Sequence, residues 1–233
     1  MTDRKTLRLS AALLVVGFVL SLVAGFFHPS RENPNNHSAV FAEYANSGGW
    51  TAIHLGQFAG MLLLIAGLLA LYFALDVHAG TAAWLGRFAA VSAGVTLALY
   101  GVLQAVDGVA LKQAVDAWAS APEAEKPARF AAAEAIRWLE WGTRSYQSFM
   151  FGLTLVLFGS VVVWTARTSR PIGYLMGLSG LAYVVQGWVL GSAGFSATNA
   201  IPQLAGYLLI LAWTIWLLII SLRMTEPVGS PAG

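Results

Sequence analysis

Residues 50–66 read WTAIHLGQFAGMLLLIA. A long apolar run begins here and carries His54 and Gln57 near its start. Residues three apart are neighbours on a helix, so these two polar side chains share one face. Part of the stretch recurs: residues 57–66, QFAGMLLLIA, read like residues 203–212, QLAGYLLILA. Elsewhere in the chain, polar residues gather near the same ends of apolar segments. The pattern predicts an all-α membrane protein whose apolar helices are arranged around one polar level.

Composition points the same way. Of 233 residues, 58% are hydrophobic and 10% charged, against about 25% charged in an ordinary soluble domain. A soluble protein this apolar could not cover its surface, so the lipid bilayer is the expected partner. The chain has no cysteine, which excludes disulfides, thiolate metal sites, iron–sulfur clusters and cysteine nucleophiles. A dispersed net charge of +2 gives no basic face for nucleic acid.

Six transmembrane helices are expected, at about 7–27, 51–75, 82–107, 142–165, 172–190 and 200–222, in a single polytopic bundle covering 1–233. The first run is longer than the usual signal-peptide core of about 7–15 residues and no A-x-A site follows, so it reads as a retained helix. Residues 28–49 form a polar loop with one helical turn expected at 40–44. The third span stays helix-like past Gly108 to Trp118. Ser120-Ala121-Pro122-Glu123 resembles a helix start, and Pro127 resembles a restart. An amphipathic stretch then leads into the fourth span. This predicts a helical hairpin projecting on the extracytoplasmic side.

Six spans put both termini on one side. The loops of that side hold Arg4, Lys5, Arg8, Arg87, Arg167, Arg170 and Arg223 against Asp3, Asp76 and Glu226. The other side holds six basic residues and eight acidic ones, most of them in the hairpin. Basic short loops stay inside, so both termini are expected in the cytoplasm and the protein in the plasma (inner) membrane.

With that topology the intramembrane polar groups share one outward-facing level. His54 and Gln57 come from span two. Tyr100, Gln104 and Asp107 form a stripe on span three, and Arg137, Glu140, Arg144 and Gln147 form one on span four. Tyr183 and Gln186 come from span five, Gln203 and Tyr207 from span six. Ionisable groups within spans are costly and usually face a wet interior. The expectation is an outward-facing polar cup that binds a small or lipid-like ligand, with the possibility of an intramembrane enzyme. In it Arg144 clamps an anion, and Gln57, Tyr100, Gln104, Gln147, Gln186, Gln203 and Tyr207 line the ligand site. His54 is the candidate acid or base, oriented by Asp107 or Glu140.

Two further readings stand beside this one. His28 ends span one and His54 opens span two, so the pair could meet and hold a metal ion with a carboxylate such as Asp107, Glu43 or Glu140, or ligate haem. Alternatively the chain is a non-catalytic membrane subunit or assembly factor. The bland account of the polar residues is that the glutamines bind helix to helix, that Asp107, Arg137 and Glu140 are solvated hairpin charges, and that Glu140 neutralises Arg144 four residues on. The tryptophans read as interfacial anchors, and Gly56, Gly60 and Gly67 as points of close helix approach.

Overall fold

A computed structural model describes residues 3–224; Glu226, Pro227 and Pro231 of the polar tail lie outside them. Among the described residues all regular structure is helical. The helices are α1 (Arg4–Phe26), α2 (His37–Ala45), α3 (Trp50–Leu75), α4 (Gly80–Ala105), α5 (Lys112–Ala119), α6 (Lys126–Thr165), α7 (Arg170–Ala193) and α8 (Ala200–Arg223). A π-helical segment, Val106–Leu111, joins α4 to α5 without a break. Six helices are long and apolar enough to cross a membrane. Side chains such as Leu9, Val16, Val91, Leu178 and Leu208 point outward from them. Water would not tolerate so broad an apolar surface, whereas lipid does.

Local chemistry sets the helix ends. Asp3 caps α1 by accepting from the Lys5 amide at 3.0 Å, and Asn36 caps α2 through the Ala39 amide at 3.4 Å. The oxygen of such a side chain satisfies an amide left without an intrahelical partner. Pro127 and Pro171 sit in the first turns of α6 and α7, where their missing N–H costs nothing. Two boundaries differ from expectation. The helix expected at 40–44 extends over His37–Ala45 because Asn36 starts it earlier. Ser120 does not start a helix; its hydroxyl donates to the Asp116 carbonyl at 2.8 Å and closes α5. The chain turns through Pro122, and α6 begins at Lys126.

Chain order is also spatial order. α1 packs on α3, α3 on α4, α4 on α6, α6 on α7, α7 on α8, and α8 returns to α1, so the six spans close into a ring. Glycine allows the tightest approaches. A Cβ on Gly159 of α6 would lie 2.5 Å from the Gly173 carbonyl oxygen, and one on Gly173 would lie 2.6 Å from that of Gly159. Gly56, Gly60 and Gly67 of α3 meet α1 at Ala24, Ser21 and Leu14.

The ring has two unlike ends. At the terminal end, the Asp3 amide donates to the Ala74 carbonyl at 3.2 Å. Arg8 binds the Ser221 and Leu222 carbonyls, and Arg167 binds those of Leu75 and Asp76. The interior here is filled by Leu14, Leu68, Leu71, Phe158, Ile172 and Trp213. At the opposite end α2, α5 and the start of α6 pack a second, smaller core around Phe41, Leu111, Val115 and Ala133. Between the two cores the ring is open.

Candidate functional site

The opening is a cavity of about 360 Å³ with walls from all six long helices and from the 28–44 segment. It is built on local irregularity. A π turn inserts an extra residue into a helix, and such turns are frequent at functional sites. Here it holds Asp107 on the inner face, buried to 8% exposure. Gly108 follows, and a Cβ there would stand 2.9 Å from the Cβ of His54. Only glycine lets α4 come this close to α3. The Trp50 indole donates to the Asp107 carbonyl at 3.3 Å, holding the unwound turn.

His28, His54 and Asp107 converge there, each offering a ligand atom within 4.8 Å of the others. The His54 Nδ1 lies 2.8 Å from the Trp50 carbonyl oxygen, and the His28 Nδ1 lies 2.9 Å from that of Pro29. A carbonyl only accepts, so both nitrogens must carry the proton. In the neutral rings both Nε2 atoms are therefore bare. The His54 Nε2 stands 3.1 Å from Asp107 Oδ2, yet it is not aligned as a hydrogen-bond donor to it, and Asp107 Oδ1 is also without a partner. Two lone-pair atoms this close repel unless a proton or a cation lies between them. Metal-ligating histidines usually donate their other ring N–H to a group such as a backbone carbonyl, as both do here.

Aromatic rings enclose the cluster. His28 packs 5.7 Å from Tyr44, 5.2 Å from Trp50 and 5.3 Å from His54, between ring centroids. Although His28 keeps one edge toward solvent, this enclosure holds its imidazole below its ordinary pKa, with Asp107 opposing the effect. Burial likewise raises the Tyr44 phenol, with Arg137 opposing. A metal ion fits the donor set. Ligand atoms about 2.0–2.2 Å from a common zinc ion lie up to roughly 4.4 Å apart, so small shifts close the cluster. Haem does not fit: the His28 and His54 ring centres are 5.3 Å apart, which leaves no slot for a porphyrin plane between the two imidazoles.

The second charged feature is Arg137 with Glu140, 2.5 Å apart and both 3% exposed. Both line the cavity. The pairing differs from the expected one, because Glu140 takes the arginine three residues before it rather than Arg144 four residues after. The Arg137 guanidinium lies 4.9 Å from the Phe195 ring centre and 5.6 Å from that of Tyr44. Asp107, Arg137 and Glu140 are thus buried groups, not solvated ones.

Most other expected site residues meet here. Gln57, Tyr100, Gln104, Arg144, Gln186, Gln203 and Tyr207 line the cavity with His28, Asp107 and Glu140. His54 stands behind them in the wall. Gln147 is fully buried and accepts a long 3.4 Å hydrogen bond from Arg144 instead of facing the cavity. Sequence reasoning did not single out Tyr44 or Phe195, and it read Trp50 with the interfacial anchors. Val40, Phe41 and Tyr44 are spaced as one apolar helical stripe, a signal that α2 covers something. Trp50 is buried at the site, whereas Trp84, Trp138, Trp164 and Trp188 are exposed as anchors would be. His37 bonds Glu134 at 2.8 Å, and His78 pairs with Asp76 at 2.6 Å, both away from the cavity.

Fold and site together define a six-helix, membrane-type protein with a His/Asp cluster at the edge of a polar cavity. The chain belongs to the family described as a domain of unknown function, DUF4386, which matches residues 9–221. No curated protein and no solved structure matches it.

Proposed function

We propose that the chain is an integral membrane protein whose polar cup opens away from the cytoplasm, receives a small or lipid-like ligand and carries a divalent metal ion of the zinc class at its wall. His28, His54 and Asp107 are the ligands. The observation that carries this reading is the pair of bare imidazole nitrogens converging with a carboxylate, one oxygen of which is unpartnered, at the wall of the cavity. A three-ligand site leaves a coordination position free, as catalytic zinc sites do. Bound there, the metal would act as a Lewis acid toward an oxygen of the ligand. The chain's own residues do the rest. Trp50 and Pro29 fix the imidazoles through their carbonyls, Glu140 and Arg137 set the charge of the wall, and α2 restricts water at the mouth. His54 is then a ligand rather than a free acid or base.

The test is metal analysis of protein purified in detergent, stripped with chelator and reloaded with zinc. Stoichiometric zinc, lost in His54→Ala and in Asp107→Asn, is expected. Zinc at a hundredfold over its Kd should add about 2.7 kcal/mol to stability, read as a raised Tm. Wild-type protein that retains no zinc contradicts the proposal. The 3.1 Å His54–Asp107 contact would suit a metal-free acid–base dyad, and that outcome would favour it.

A further inference from the structure

Arg144 is a cation facing the interior of a membrane-type ring, and no carboxylate is paired with it among the described residues. Glu140, the obvious candidate, is committed to Arg137. The hydrogen bond Arg144 makes is the 3.4 Å one to Gln147. Its guanidinium lies 5.9 Å from the Tyr100 ring centre, and Tyr183 of α7 and Tyr207 of α8 face the same space. All three phenols line the same cavity, and Gln203 donates to the Tyr207 hydroxyl at 3.3 Å. The Gln104 and Gln186 carbonyl oxygens nearby are buried without partners. The guanidinium offers donors only, and each phenol can donate one hydrogen bond.

The carboxylates that line the cavity are Glu32, Glu43, Asp107 and Glu140. Glu43 accepts from the Arg31 and Glu32 amides, Glu140 is paired with Arg137, and Asp107 stands against His54. The floor and far wall are apolar, formed by Phe18, Met61, Leu64, Leu103, Phe151 and Ile210.

We infer that Arg144, with the Tyr100, Tyr183 and Tyr207 hydroxyls, seats the oxyanion of the ligand, a carboxylate or phosphate. This rests on the reading of the cavity as a metal-bearing cup. An arginine fork takes such a group in two parallel hydrogen bonds. The anion belongs either to a free ion or to the headgroup of an amphiphile whose chain lies against the apolar wall.

The experiment measures binding to zinc-loaded and zinc-stripped protein in a detergent that carries no charge. The probes are inorganic phosphate, acetate, oleate, a lysophosphatidate and the uncharged monoolein. Oleate or lysophosphatidate binding tightly, with phosphate and acetate weak, identifies an amphiphile; phosphate or acetate binding as tightly identifies the free ion. Either supports the seat. Arg144→Gln should weaken the anion by roughly ten- to a hundredfold while zinc stoichiometry stays at the wild-type value. Monoolein binding as tightly as oleate to wild-type protein overturns the inference without recourse to any variant. So does an Arg144→Gln protein that holds zinc and binds the anion unchanged. Anion binding that survives in protein unable to hold zinc keeps the Arg144 seat and removes the metal centre, so the two failures are distinguishable.

Discussion

Arg137 and Glu140 place opposite charges in a wall that neither could occupy alone. Removing one partner of a buried pair strands the other, at a cost of about 3–5 kcal/mol, whereas replacing both with apolar residues of similar size is often neutral. Arg137→Met should therefore lower the thermal stability of the purified protein strongly, and Arg137→Met with Glu140→Leu should recover most of the loss. A double variant no better than the single one would show that the cavity needs these charges for its shape. The sequence displayed the charged stripe of α6 but not its pairing. Spacings of three and four both place partners on one helix face. The choice was made by Phe195 and Tyr44, whose rings hold the Arg137 guanidinium, and those contacts come from distant parts of the chain.

The π turn of Val106–Leu111 is where element and site meet. Gly108→Ala pits two effects against each other. Alanine improves a helix by about 0.8–1.0 kcal/mol over glycine, but a methyl 2.9 Å from the His54 Cβ is overpacking worth about 1–3 kcal/mol. The second should win, so Gly108→Ala should melt lower than wild type and bind zinc more weakly. Gly94→Ala, on the same helix with nothing within 4 Å of the new Cβ, should not melt lower. Similarly, Gly159→Leu should destabilise the α6–α7 pair. The long apolar helices were legible because their composition leaves no alternative. The unwinding was not, since Gly108 is the only breaker in its stretch and one glycine does not distinguish a π turn from a plain helix. Ser120 misled for a related reason: serine closes a helix through its hydroxyl as readily as it opens one.

At the scale of the molecule, the ring explains why polar residues on different helices met. Five spans carried them at one depth, and closing α8 onto α1 turned that shared depth into a shared cavity. Depth was readable from position along each span; enclosure was not, because no local signal specifies how the ring closes. The recurrence of residues 57–66 at 203–212 acquires a place in it, since Gln57 and Gln203 both line the cavity. Orientation in the membrane follows from charge: the arginines that tie the terminal end together should lie in the cytoplasm. The chain has no cysteine, so single introduced thiols report cleanly. Glu123→Cys should react with an impermeant maleimide on intact cells, and Arg87→Cys should react only after the membrane is opened. The reverse pattern would invert the proposed topology and turn the cup inward.

The central claim is that His28, His54 and Asp107 hold a metal ion, and X-ray absorption at the zinc edge of the zinc-reloaded protein tests it most directly. The account predicts one ordered shell of nitrogen and oxygen donors at about 2.0–2.2 Å, with the outer scattering of two imidazoles, reduced to one in His28→Ala. A shell of water oxygens alone, or an imidazole signal unchanged in both His28→Ala and His54→Ala, would contradict it.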